Sequence, residues 1–155
     1  MQHDTIPDDV RTLAFEFFYW FSRFEFALKE NGYLKSRIVG TRAEPSWQGF
    51  VDAWQGDYEP TSAAKALIAA NPQQQIVGPA GLEFRDVHFA EQPSDLKRVV
   101  RLAQTVRNNL FHGGKHGNES WDDPNRMRLL LPTTIVILGE FADRAGITAD
   151  YDRYY

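Results

Sequence analysis

The stretch from Asp8 to Gly32, DDVRTLAFEFFYWFSRFEFALKENG, decides the fold. Asp8 and Asp9 precede an apolar-rich run that reaches about Lys29, and Asn31-Gly32 supplies a helix stop. At about 100° per residue the run carries two apolar stripes. Leu13, Phe17, Trp20, Phe21, Phe24 and Leu28 form a broad one, and Phe15, Tyr19 and Phe26 form a second on roughly the opposite side. Glu16, Arg23 and Glu30 separate them along one seam, and Ser22, Glu25 and Lys29 along the other. A helix apolar on two sides is buried on two sides. One stripe is expected to face the core, the other a second layer of the domain or another subunit.

The rest of the chain extends the helical pattern. Residues 33–45 read as irregular, with Gly40 and Pro45. Ser46 can cap a short helix bearing Trp47, Phe50, Val51 and Trp54 at helical spacing, ended by Gly56. Thr61 or Ser62 can cap a helix from Ala63 to Ala70, which stops at Asn71-Pro72. Residues 72–94 read as a long connection with room for a short hairpin around Ile76-Val77 and Leu82–Phe84. Ser94 can cap a strong helix from about Asp95 to Phe111 or His112, with Leu96, Val99, Val100, Ala103, Val106 and Leu110 inward and Gly113-Gly114 as its stop. A polar loop, 115–122, leads to Asp123-Pro124, which starts a last main helix. Pro132 should kink or split that helix, Gly146 closes it, and 147–155 reads as a polar tail. The expected fold is an all-α bundle of four to five helices in a single domain, 1–155, with a long loop before the helix that starts at Asp95.

Composition narrows the function. The chain has 155 residues, no cysteine and a net charge of −4. Without cysteine there is no disulfide, thiolate metal site or cysteine nucleophile, which fits a cytoplasmic setting. A net negative charge weighs against coating nucleic acid by bulk electrostatics but permits a local basic site. No run approaches the length of a membrane span, and Met1-Gln2-His3-Asp4-Thr5 lacks the features of a secretion signal.

The most informative segment is Arg107-Asn108-Asn109-Leu110-Phe111-His112-Gly113-Gly114-Lys115. Arg107 falls in the apolar stripe of its own helix, where a guanidinium needs a carboxylate, a phosphate or an open cleft. Asn108 and His112 share the polar face with Arg101, and Lys115 adds positive charge nearby. In a purely structural account Arg107 pairs with Glu25, Asn109 caps carbonyls and His112 is a C-terminal cation favoured by the helix dipole.

Arg107-Asn108-x-x-x-His112 resembles the R-(polar)-x3–5-H motif of the HEPN superfamily, the higher eukaryotes and prokaryotes nucleotide-binding domains. The wording RNNLFHGGK and the first helix, with Phe21-Ser22-Arg23-Phe24-Glu25-Phe26-Ala27-Leu28, resemble its bacterial members. The resemblance implies a dimerising helical bundle that joins two such motifs across a two-fold cleft. It implies a metal-independent endoribonuclease, without cofactor, acting as a toxin or in phage defence, with a cognate antitoxin protein as a possible partner. On that analogy His112 moves a proton, Arg107 holds the scissile phosphate and Asn108 orients either. Arg101 and Lys115 assist RNA binding, and Glu25 and Asn109 support the site. The chemistry suits RNA, whose 2′-hydroxyl attacks the adjacent phosphate once a base removes its proton. Arginine matches a phosphate bidentately, and histidine serves as acid or base at neutral pH. The alternative is a catalytically silent HEPN-like domain that binds RNA, a nucleotide or a protein partner; a third reading is a structural helical module.

The sequence departs from the pattern in two ways. Arg107 and His112 lie about 140° apart on an ideal helix, so either the helix loosens at Leu110–His112 or the two meet across the dimer. Some family toxins carry a modifiable tyrosine two positions after the histidine, where this chain has Gly114; Tyr151, Tyr154 and Tyr155 do not replace it. His112-x-x-x-His116 has metal-like spacing, but the glycines break the helix that would align the pair, so no metal is expected.

Overall fold

A computed structural model describes residues 3–112 and 123–153. It is mostly helical: α1 (Asp8–Glu30), α2 (Trp47–Trp54), α3 (Ser62–Ala70), α4 (Asp95–His112), α5 (Pro124–Ala145) and α6 (Thr148–Asp152), with strands β1 (Gln74–Gly78) and β2 (Gly81–Arg85) between α3 and α4. The helical class holds, and the expected all-α label is corrected by two short strands, which fall where the sequence left room for a hairpin. The connection at 72–94 holds an antiparallel hairpin with Gln74 opposite Arg85 and Gly78 opposite Gly81.

Helix boundaries follow local chemistry. Ser46, Thr61, Ser94 and Asp123 each accept a hydrogen bond from the backbone N–H three residues on, at 3.0–3.2 Å. Asn71 and Gly146 end α3 and α5 in the left-handed region, φ 44° and 67°. Asp8 and Asp9 sit in the first turn of α1, where the helix dipole favours carboxylates. Asp9 also takes two hydrogen bonds from Arg128 of α5, at 2.6 and 3.0 Å, and these hold its carboxyl below the ordinary carboxylate range. α5 runs through Pro132 without splitting. Proline removes the donor to the Arg128 carbonyl, while Thr133 and Thr134 donate their hydroxyls to the carbonyls of Leu129 and Leu130.

The core forms where α1 packs on α5 and α6, with α3 against α4 and α5. Phe24 of α1 is its centre. It is fully buried, with its ring centroid 5.0 Å from Trp47, 5.6 Å from Phe50 and 6.1 Å from Phe141. Phe17, Phe21 and Leu28 are buried beside it, whereas Leu13 and Trp20 are half-buried at the margin. Among the described residues the second stripe is only partly covered. Phe15 is 64% exposed, Tyr19 lies edge-on to Trp20, and Phe26 lies beneath the Arg23 guanidinium. Phe18, assigned to neither stripe, is 51% exposed and its ring packs on Phe111.

The expected polar tail is also corrected. Ile147 and Tyr151 are buried, and Tyr151 packs on Trp20 and Phe24 through α6; burial raises its phenol pKa. Arg23 of α1 donates to the carbonyls of Asp150 and Tyr151, and Asn31 donates to the Asp150 carboxylate. Tyr154 and Tyr155 lie outside the described residues.

Candidate functional site

The outward face of α4 lines a cleft of about 470 Å³ whose other walls are α1 and β1. α1 contributes Phe21 and Glu25, and β1 contributes Gln74 and Gln75. From α4, Arg101, Asn108 and His112 fall within about 40° of one another around the axis. They form a polar row down the cleft, with Gln104 and Thr105 on either side. Asn108 and His112 are exposed.

Arg107 also lines this cleft, although it stands well round the helix from His112. Neither sequence-based route to that meeting is needed within the chain. α4 stays helical through His112, and no second copy is required for both side chains to reach the same space. The arginine's position explains how. It sits at the edge of the buried arc, close to Val100, and its long side chain carries the guanidinium outward. It is half-buried, donates to Asn108 Oδ1 at 3.1 Å, and lies over the Phe111 ring at 5.3 Å from the centroid. The expected Arg107–Glu25 ion pair is absent among the described residues. Glu25 Oε1 instead accepts a hydrogen bond from Trp47 Nε1 at 2.9 Å.

Asn109 is buried and donates to the Gln73 carbonyl at 2.8 Å, so its contribution is to latch the base of the hairpin onto α4. That latch sets Gln74 and Gln75 against the cleft. Asp86 steadies the same corner by accepting from Asn71 and Gln73, both at 3.0 Å. Gly78 leaves room where the hairpin turns, since a Cβ there would come within 2.5 Å of the Glu83 carboxyl carbon.

Of the expected residues, Arg101, Arg107, Asn108, Asn109, His112 and Glu25 come together around one cleft. Lys115 lies outside the described residues, as do Gly113, Gly114 and His116. His88 lines a separate cavity with Phe84 and Asp86. The sequence reading missed Gln74, Gln75, Gln104 and Thr105. The signal for Gln104 was its place on the helix between Arg107 and Asn108; for the other glutamines it was the polar run Gln73-Gln74-Gln75 before Ile76.

Chemically, the cleft offers two guanidiniums, carboxamides and an imidazole to a ligand entering from solvent. That set suits an anion able to accept several charge-assisted hydrogen bonds, a phosphate above all. Among the described residues no group of three or more histidines, aspartates or glutamates could hold a metal ion. No helix among them is long and apolar enough to cross a membrane. No family model, curated protein or solved structure matches the chain.

Proposed function

We propose that the chain is a HEPN-like, metal-independent endoribonuclease that works as a homodimer in the cytoplasm as a bacterial toxin or phage-defence component, restrained by a cognate antitoxin. The observation that carries this reading is that Arg107, Asn108 and His112 line a single solvent-open cleft. In the reaction the 2′-hydroxyl of the substrate loses its proton to an imidazole and its oxygen bonds to phosphorus. The bond to the 5′-oxygen breaks, and that oxygen takes up a proton. The products are a 2′,3′-cyclic phosphate and a 5′-hydroxyl. Arg107 binds the non-bridging oxygens and offsets the charge that builds in the transition state. Asn108 accepts from Arg107 and fixes where the guanidinium points. Each chain supplies one His112, so the base and the acid come from two copies.

Exposed aromatics support the dimer. Phe15, Phe18 and Phe111 are all about half exposed or more, and Phe18 packs on Phe111 at the end of α4, beside the cleft. Pairing there would bring two His112 side chains toward a common axis.

The test is cleavage of single-stranded RNA in the presence of EDTA. Products should end in 2′,3′-cyclic phosphate, and DNA of the same sequence should survive. His112→Ala should slow cleavage about 10²–10⁴-fold while the protein remains folded and dimeric. Equal background cleavage by wild type and His112→Ala would remove the nuclease reading and leave a silent binding domain.

A further inference from the structure

A second cleft, of about 680 Å³, adjoins the first and shares Glu25, Arg101, Gln104 and Arg107 with it. It is walled by α1, α4, the start of α2 and the excursion between Leu34 and Pro45. That excursion is pinned at its base, where Lys35 N–H donates to the Glu44 carbonyl and Ser46 N–H to the Tyr33 carbonyl.

The charge around this cleft opposes the charge of the protein. Lys29, Lys35, Arg42, Lys97, Arg101 and Arg107 line it, six of the chain's seventeen lysines and arginines, against two of its twenty-one carboxylates, Glu25 and Glu44. Lys35 is spent on Glu44 at 4.0 Å. Among the described residues the other five cations have no ion-pair partner. Glu25 is held by Trp47 Nε1. Unpaired like charges facing one another across a concavity repel, and their fields focus there on any anion that enters. The positive row continues through Arg101 and Arg107 into the first cleft, so the two read as one track.

We propose that this second cleft binds the phosphates of single-stranded RNA flanking the cleaved bond. The inference rests on the ribonuclease reading of the first cleft for the identity of the polyanion. A bounded trench accepts a single strand's backbone, whereas a duplex presents its phosphates on a convex surface. Trp47 is almost wholly buried in the trench wall and offers no ring face for stacking, so recognition here is electrostatic and indifferent to sequence.

The test uses the full chain carrying His112→Ala, so that binding is read without cleavage. The probe is a fluorescein-labelled single-stranded RNA of about 12 nucleotides, within the usual range of single-strand sites. Each phosphate contact on a single strand adds about 0.7 to the slope of log affinity against log salt, which is about five-fold in affinity at 0.1 M salt. Adding Lys29→Gln, Arg42→Gln and Lys97→Gln together should weaken binding about 100-fold and flatten the slope by about 2. Arg42→Gln alone, on an exposed side chain, should cost about five-fold and guards against misfolding of the triple variant. A control removing equal charge elsewhere, Arg11→Gln with Lys65→Gln and Arg85→Gln, should bind as the parent does. Three results would each overturn the proposal: no binding by the parent, equal losses in the two triple variants, or a duplex that binds as tightly as the single strand. Because His112 is absent throughout, loss of binding in the groove variant would support the track even if the wild type cleaved nothing.

Discussion

Replacing Glu25 tests how the wall between the two clefts is held. Its Oε1 accepts from Trp47 Nε1 at 2.9 Å, and Trp47 is 8% exposed. Glu25→Ala leaves the indole N–H in a mostly buried setting with no acceptor, a loss of about 1–3 kcal/mol. In a domain of this size each kcal/mol moves the melting temperature by about 2–4 °C, so a 2 kcal/mol loss lowers it by about 4–8 °C. Glu25→Gln keeps a carbonyl oxygen for the indole and gives up only the charge assistance, about 1 kcal/mol, so its melt should fall by about 2–4 °C. The measurement is a thermal melt followed by circular dichroism, with tryptophan emission as a second probe. Equal losses for the alanine and glutamine variants would refute the reasoning, since the carboxylate charge rather than its acceptor oxygen would then be what holds the wall.

Phe24→Ala should cost about 3–5 kcal/mol in urea unfolding, whereas Phe15→Ala should leave folding intact and weaken self-association in light scattering; similar losses in both measurements would remove the division of α1 into a core face and an outer face. Asp9 should titrate below the ordinary carboxylate range in carbon-detected NMR, because Arg128 hydrogen-bonds the charged form. A lowered folded pKa adds stability above the unfolded value of about 3.9, and that stability is lost as pH falls through the lowered folded value. Arg128→Met should return Asp9 to the ordinary range and remove this share of the acid sensitivity; an unmoved titration would contradict the pairing.

Helix ends were the most legible part of the chain, because caps are local. Ser46, Thr61, Ser94 and Asp123 announce their helices within four residues, and Asn71 and Gly146 close theirs by a backbone conformation those residues tolerate. The core stripe of α1 was legible through Phe17, Phe21, Phe24 and Leu28, but the fate of its other face was not. Periodicity gives the direction in which Phe15 and Phe18 point, not whether anything lies there. α6 was hidden by brevity: Ile147 and Tyr151 are four apart, yet five helical residues among aspartates read as tail until Trp20 and Phe24 are seen to cover them. The hairpin was legible in place, around Ile76-Val77 and Leu82–Phe84, but not in extent. Val77 and Leu82 face each other across it while remaining exposed, so the inside–outside alternation that marks a strand is missing. In the cleft, Arg101, Asn108 and His112 were readable because one helix carries them. Glu25's attachment to Trp47 joins separate elements, and no spacing in the sequence encodes it.

The lock between α1 and α6 has a consequence for the order of events at the ribosome. α1 is synthesised before the elements that cover it: α2 soon brings Trp47 and Phe50 onto Phe24, but Phe141 and Tyr151 arrive only with residues 124–152. At about 5–20 residues per second, roughly 100 residues of further synthesis leave the α5 and α6 side of that stripe uncovered for about 5–20 s. Through that interval the nascent chain presents Phe17, Phe21 and Phe24 on a helix with no α5 or α6 to receive them. Chaperone occupancy should therefore peak on α1 and fall sharply once residue 152 emerges, and a message truncated inside α5 should yield a product that is degraded rather than stored.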